Sequence, residues 1–63
     1  MIEKTLFNSM VNRKTITIIY MKDSEIAQRR IQVMKIDKDY IKALDVDKNA
    51  IRTYKIDKIL SAR

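Results

Sequence analysis

The sequence predicts a mainly β fold, a small, partly closed barrel of five strands that follows one N-terminal α-helix. Apolar residues near the N-terminus recur with helical spacing, and the residues after them alternate between apolar and polar. A unit of one apolar residue, Asp and Lys also recurs every ten residues, at 36–38, 46–48 and 56–58. Such a step is typical of a meander with about five to seven residues per strand and about two to four per turn. We expect a single domain, with a helix at 1–12 and a barrel at 15–63.

A stripe of apolar side chains predicts the helix. The stripe has the i, i+4, i+5, i+8, i+9 spacing of one helical face and comprises Ile2, Leu6, Phe7, Met10 and Val11. Glu3 in the first turn and the basic residues beyond the last turn suit the helix dipole. Asn12 is expected to end the helix by adopting the left-handed conformation.

Alternating residues and polar turns divide the rest of the chain into strands. The predicted strands cover residues 14–22, 26–36, 40–46 and 50–56, with a short closing segment at 59–62. Glycine and proline are both absent, so Asp, Asn, Ser and Lys must form the turns. We expect the Asp-Lys pairs at 37–38 and 47–48 to form turn corners, and Asp57-Lys58 to form one helical turn. Closure of the sheet would remove the exposed edges that invite aggregation.

The size of the chain limits its core. A domain of 63 residues buries only about 60% of the surface that its unfolded chain exposes. The chain contains neither Cys nor His, which excludes a disulfide and disfavours a structural zinc site. Stabilisation by self-association or by a larger assembly is therefore expected. No apolar run reaches the length of about 18 residues that crosses a bilayer, so we expect a cytoplasmic protein with no membrane partner.

The charge balance favours an anionic partner. Fourteen Lys and Arg residues against eight Asp and Glu residues give a net charge of +6, and such a field attracts polyanions. The alternative is that the excess lysines serve only solubility.

The composition argues against an enzyme. Ser9, Ser24 and Ser61 have no His or Cys to act with, and no recognisable base lies near them in sequence. A phosphate-binding loop needs glycine, which is absent. The aspartates lie mostly at predicted turns beside lysines, so we interpret them as solvated acids and predict neither a metal nor a cofactor. They are Asp37, Asp39, Asp45, Asp47 and Asp57.

Basic and aromatic side chains are interleaved along the predicted strands. Arginine forks bind phosphate bidentately and tyrosine rings stack on bases, a combination that single-stranded nucleic-acid grooves use. The alternatives are a solvated strand face for the arginines, and a core position with the hydroxyl at the rim for the tyrosines. The candidates are Arg29, Arg30, Lys35, Arg52, Lys55 and Lys58, with Tyr20, Tyr40 and Tyr54.

The order of these motifs resembles the WYL domain of bacterial transcription regulators, a small barrel related to the SH3 and Sm folds. Residues 16–20, "ITIIY", match its apolar strand ending in tyrosine, and Arg29 and Ile31 fit its next motif, with Val33 where proline is customary. Asp39-Tyr40-Ile41 stands where the family has Trp-Tyr-Leu, followed by Ala43. The family's last motif, R-x-F-x-L-x-R-I, is matched by "RTYKIDKI" at 52–59.

The resemblance implies a ligand-sensing module with a regulatory role. In that family, basic residues at these positions are thought to bind nucleic acid or nucleotides, which implies a site at Tyr20, Arg29, Arg52 and Lys58. The chain has no room for the winged helix that reads DNA in these regulators, so we expect a stand-alone module. The alternative is a protein-interaction module, either a homodimer or an accessory subunit of a larger partner. Arg52 and Tyr54 share one strand face, so if Tyr54 is core, a twist or bulge is expected to turn Arg52 outward.

Overall fold

The elements of the fold follow the predicted pattern closely. A computed structural model describes residues 2–63 as one helix, α1, at Ile2–Asn12 and five strands. A 3₁₀ turn at Ile56–Lys58 precedes the last strand, as predicted for this Asp-Lys pair. The Asp-Lys pair at 47–48 lies in a turn, as predicted, and the pair at 37–38 lies in the short connection between the second and third strands. The strands are β1 (Ile16–Lys22), β2 (Glu25–Ile36), β3 (Tyr40–Asp45), β4 (Ala50–Lys55) and β5 (Ile59–Ala62).

The five strands form one antiparallel sheet. Their order is β4-β3-β2-β1-β5, so the first four make a meander and β5 returns to pair with β1. Within residues 2–63, β4 and β5 are the two edges and do not pair with each other, so hydrogen bonds do not close the sheet. The predicted fold class, mainly β with five strands after an N-terminal helix, is confirmed, and the sheet stays open between its edge strands.

The sheet is nevertheless strongly curled. Tyr20 in β1 and Tyr54 in β4 are separated by three strand spacings, which would place them about 14 Å apart in a flat sheet. Their ring centroids are only 4.9 Å apart. The curl therefore brings the inner faces of β1 and β4 together without a backbone pairing between them.

Strand alternation decides which side chains fill the inside of this curl. Pairing in register places Ile16 opposite Ile31 and Ile41 opposite Tyr54, and all four are buried. Helix α1 packs mainly on β2 and β5. Burial of each large aliphatic side chain contributes about 1.5–3 kcal/mol to the stability of the fold. Together these side chains are the main source of stability in so small a domain. The buried core comprises Leu6, Ile16, Ile18, Ile31, Val33, Ile41, Ala43, Tyr54 and Ile59.

The predicted helical stripe is only partly buried. Leu6 is 1% exposed, and Ile2 and Met10 pack against the core. Phe7 and Val11, however, are 54% and 57% exposed, because they project about 100° further round the helix than Leu6 and Met10. The apolar stripe is therefore divided into a buried part at Leu6 and an exposed part at Phe7 and Val11.

Ser9 joins the helix to the sheet. Its side chain is fully buried, and its hydroxyl donates to the Lys14 carbonyl at 2.6 Å and accepts from the Val33 N–H at 3.0 Å. If the pairing of Ile16 with Ile31 continued by two residues, Lys14 would lie opposite Val33. The hydroxyl therefore bridges the two backbone groups at the point where the β1–β2 ladder stops. Sequence reasoning did not identify this serine as a core residue.

The helix ends at Asn12 as predicted, but the left-handed residue follows one position later than expected. Asn12 is still helical, and Arg13 adopts the left-handed conformation with φ 53°. The Lys14 N–H donates to the Ser9 carbonyl at 3.0 Å, which is the six-to-one bond of a Schellman motif. The left-handed conformation costs a non-glycine residue about 1 kcal/mol, and the two hydrogen bonds between Ser9 and Lys14 hold Arg13 in this conformation.

Among residues 2–63, no helix is long and apolar enough to cross a membrane.

Candidate phosphate-binding cleft

The region of the inner face that lies toward the end of β1 carries a polar cleft. Its volume is about 160 Å³, and strands β1, β2 and β4 supply its walls. The inward-facing residues of β1 are Ile16, Ile18, Tyr20 and Lys22 in chain order. The inner face therefore becomes polar toward the end of the strand. The lining residues are Tyr20, Lys22, Ala27, Arg29, Arg52, Thr53 and Tyr54.

Three of the four residues predicted for a binding site line this cleft. They are Tyr20, Arg29 and Arg52. Lys58 lies in the 3₁₀ turn before β5, where it is exposed, and it does not belong to the lining of the cleft as formed by the described residues. Lys22 lines the cleft and was not predicted. The period-two pattern could have found it, since it lies two residues beyond Tyr20 on the inward side of β1.

The other predicted basic residues lie elsewhere. Arg30 is on the outer face, where its Nη1 lies 3.0 Å from Asp47 Oδ1, and both side chains are exposed. Lys35 forms a longer surface contact of 3.9 Å with Asp37. Lys55 lines a separate depression that carries charges of both signs, with Lys38, Asp39 and Asp57. Tyr40 is exposed. These positions match the alternative of a solvated strand face, and only Arg29 and Arg52 of the predicted basic set share the cleft.

A buried carboxylate holds Arg52. Arg52 Nε lies 3.4 Å from Asp45 Oδ2, and the Asp45 side chain is only 1% exposed. Asp45 Oδ1 accepts the Lys48 N–H at 3.2 Å. The Nε–Oδ2 contact is a charge pair without hydrogen-bond alignment, since Oδ2 has no hydrogen-bond partner within the described residues. The contact therefore fixes the guanidinium mainly by charge.

The interpretation of Asp45 as a solvated turn acid is wrong. Asp45 is the last residue of β3, and the register places it between Ile31 and Ala50. Ile41, Ala43 and Asp45 alternate onto the inner face, and all three are buried. The signal that could have found it is the same alternation, because Asp45 still belongs to the strand and only the residues after it form the turn.

Arg52 and Tyr54 share the inner side of β4. The β3–β4 register runs without a shift from Tyr40–Lys55 to Asp45–Ala50, so of the twist or bulge expected here, the register excludes the bulge. Tyr54 is 5% exposed, whereas the side chain of Arg52 is 45% exposed. The strand therefore brings both to the cleft, with Tyr54 at its base and Arg52 nearer to solvent.

The two tyrosines meet edge to face. Their rings are inclined by 77° with centroids 4.9 Å apart, a favourable geometry for aromatic pairs. The Tyr54 hydroxyl is buried and has no hydrogen-bond partner among residues 2–63, so the expectation of a hydroxyl at the rim is wrong for this residue. Burial raises the pKa of Tyr54 and the Asp45 carboxylate raises it further, while Arg52 and Arg29 act in the opposite direction. Tyr54 is therefore a protonated donor at neutral pH.

The cleft has an excess of positive charge. Lys22, Arg29 and Arg52 line it, and the only carboxylate paired with any of them among the described residues is Asp45. Arg29 Nη1 donates to the Gln28 carbonyl at 2.9 Å, which leaves its remaining N–H groups for other acceptors. No group of three or more His, Cys, Asp or Glu side chains that could hold a metal occurs in residues 2–63. The chemistry offered by the cleft is that of an anion site beside an aromatic edge.

No protein-family model, curated protein or solved structure matches this chain. The resemblance to WYL domains therefore stays a prediction, and the function has to be inferred from the cleft.

Proposed function

We propose that this protein is a non-catalytic binding module whose cleft holds a phosphate group of single-stranded nucleic acid or of a nucleotide, with a regulatory role. The observation that supports it is the meeting of Tyr20, Arg29 and Arg52 in one cleft, although these residues are far apart in the sequence. Guanidinium groups are the protein donors best suited to phosphate oxygens. The net charge of +6 adds a long-range attraction for polyanions.

The size of the cleft limits what enters it. A volume of about 160 Å³ corresponds to roughly five water molecules and is well below the about 300–1,000 Å³ of pockets that enclose a whole small molecule. A phosphate group and a portion of a sugar fit this space, while the rest of the ligand lies over the surface. Tyr20 is half-buried and lines the cleft beside Tyr54, so its ring is an aromatic group beside a bound phosphate.

Titration of a labelled single-stranded oligonucleotide at several salt concentrations tests the proposal. If three or four phosphates are neutralised, the logarithm of the affinity falls with the logarithm of salt concentration with a slope of about −2 to −3. Arg52→Gln is expected to weaken binding clearly. The matched control is Arg30→Gln, which removes the same charge from the outer face. Equal losses in both variants, or no binding at low salt, would contradict the proposal.

The predicted role of Lys58 has its own test. Because Lys58 is exposed outside the cleft, Lys58→Gln is expected to lower affinity less than Arg52→Gln and to act only through the general field. A loss as large as that of Arg52→Gln would show that the ligand extends to the 3₁₀ turn.

A protein-interaction module, as a homodimer or with a larger partner, is the second candidate function. Phe7 and Val11 lie one turn apart on the helix and are both more than half exposed, and no strand of residues 2–63 pairs with the outer edges of β4 and β5. Light scattering at increasing concentration tests self-association, and the double variant Phe7→Ser, Val11→Ser should abolish it. A monomer at high concentration would exclude the homodimer.

A further inference from the structure

We infer that the cleft recognises a terminal phosphomonoester rather than an internal phosphodiester. The inference depends on the proposed function and specifies the chemical class of its ligand. It follows from the charges around the cleft, from the free donors of Arg52 and from the number of cations that converge there.

The charges favour a dianion. The side chains of Lys22, Arg29 and Arg52 line the cleft, and the Asp45 carboxylate pairs with Arg52. Within residues 2–63, two positive charges are therefore left without a paired carboxylate. A phosphomonoester carries about −1.5 to −2 at pH 7, whereas a phosphodiester carries about −1. Only the monoester neutralises the cleft.

The Nη groups of Arg52 are positioned to contact a ligand in the cleft. The contact with Asp45 uses Nε, and no hydrogen bond or ion pair of its Nη groups occurs within residues 2–63. The four Nη–H donors are therefore free for the paired contact that guanidinium makes with phosphate. Asp45 is a positioning residue here, since it is buried and fixed by the Lys48 N–H.

The number of donors also suits a terminal group. A terminal phosphate has three non-bridging oxygens, and an internal phosphate has only two with a sugar on each side. Three cationic side chains from three strands line the cleft, and the Tyr54 hydroxyl at its base is a buried donor without a partner among the described residues. The volume of about 160 Å³ accommodates a single phosphate group.

Three oligonucleotides of one sequence test the inference, each labelled at an internal base. One has a 5′-phosphate, one a 3′-phosphate, and one hydroxyls at both ends. We expect one of the phosphorylated forms to bind the wild-type protein at least about tenfold more tightly than the form with two hydroxyls. The preference should decrease below about pH 6, where the monoester takes up a proton.

Variants assign the preference to the cleft. Lys22→Gln should reduce it, and this exposed residue can be changed without loss of core contacts. Arg52→Gln should reduce it further, and circular dichroism shows whether that variant is folded. Arg30→Gln should leave the preference unchanged, because Arg30 lies outside the cleft. A preference that survives Lys22→Gln and Arg52→Gln in folded proteins would overturn the assignment.

The outcomes separate this inference from the proposed function. Equal affinity for all three oligonucleotides would overturn the inference and leave the proposed function standing. No binding of any oligonucleotide or of a nucleoside monophosphate would overturn both. A nucleoside monophosphate that competes as well as the phosphorylated oligonucleotide would support the inference and identify a free nucleotide as the ligand.

Discussion

The inner face of the sheet has two halves that follow the same strand alternation but differ in chemistry. In the half under α1, Ile16, Ile31 and Val33 are buried. In the other half, the inward positions of the same strands are Tyr20 and Arg29. β1 and β2 are antiparallel, so the change from apolar to polar occurs in the same direction in space on both strands. The helix lies where the inner face is apolar, and the cleft remains where it is not.

The two halves also satisfy their buried polar groups differently. Ser9 in the covered half has its hydroxyl fully used by Lys14 and Val33. Near the cleft, Asp45 Oδ2 and the Tyr54 hydroxyl have no hydrogen-bond partner among residues 2–63. A buried group without a partner costs about 1–3 kcal/mol, so the cleft half is less stable than it could be. The Tyr54 hydroxyl is a donor, so a phosphate oxygen of the proposed ligand would supply its missing partner, whereas the Asp45 carboxylate is held by the charge of Arg52.

The largest effect is expected from Leu6→Ala in the covered half. Leu6 is 1% exposed, and its truncation should lower the free energy of unfolding by about 2–5 kcal/mol. Urea unfolding followed by circular dichroism measures the loss. Phe7→Ala is the matched control on the same helix, and it should cost far less since Phe7 is mostly exposed. A similar loss in both variants would show that the Phe7 side of the helix is buried as well as the Leu6 side.

Ser9→Ala should have the next largest effect. The substitution leaves the Val33 N–H and the Lys14 carbonyl without their partner, which should lower the free energy of unfolding by about 1–3 kcal/mol. Hydrogen exchange at Val33 should accelerate relative to Ile31. Ser24→Ala, in an exposed turn, is the control and should be close to neutral. Unchanged stability in Ser9→Ala would mean that the bridge contributes nothing.

Tyr54→Phe tests the cleft half through its pH dependence. The pKa of Tyr54 is raised above 10.0, so above that pH the unfolded chain loses a proton that the folded chain keeps. The wild-type protein should therefore lose stability as pH rises through this range, by at most about 1.4 kcal/mol per pH unit from this group. Tyr54→Phe lacks this loss, so its stability relative to wild type should increase with pH.

Urea unfolding at pH 7 and at several values above pH 10 measures the difference between the two proteins. At neutral pH the variant should be as stable as wild type or slightly more so, because the lost hydroxyl has no hydrogen-bond partner in residues 2–63. Tyr40→Phe, at an exposed position, serves as the control for tyrosine titration. A wild-type protein that keeps its stability relative to Tyr54→Phe above pH 10 would refute the raised pKa.

The smallest effect is expected from Arg13→Gly at the end of the covering helix. Glycine adopts the left-handed conformation without steric cost, so the change should stabilise the protein by up to about 1 kcal/mol. The gain is limited by the greater freedom of glycine in the unfolded chain. Asn12→Gly is the comparison and should destabilise, because Asn12 is helical. Thermal unfolding ranks the two variants, and the opposite order would place the left-handed residue at Asn12 rather than at Arg13.

The amino-acid sequence by itself determined the elements of this protein and which residues share a strand face. Alternation and the Asp-containing turns are local signals, so the strand bounds and the 3₁₀ turn at Ile56–Lys58 agree with prediction to within about two residues. The same alternation placed Tyr20 and Arg29 on the inward side of their strands. The same alternation also places Asp45 and Lys22 on the inward sides of β3 and β1, although neither residue was predicted to lie there.

Only the tertiary structure decided which inward residues meet. The approach of Tyr20 to Tyr54 depends on the curl of the whole sheet, which sums small twists over three strand pairs and has no local signature. The burial of Ser9 depends on where the helix crosses the end of the β1–β2 ladder. The position of Lys58 outside the cleft depends on the direction in which the 3₁₀ turn leaves β4. These are long-range arrangements, and residue spacing along the chain does not specify them.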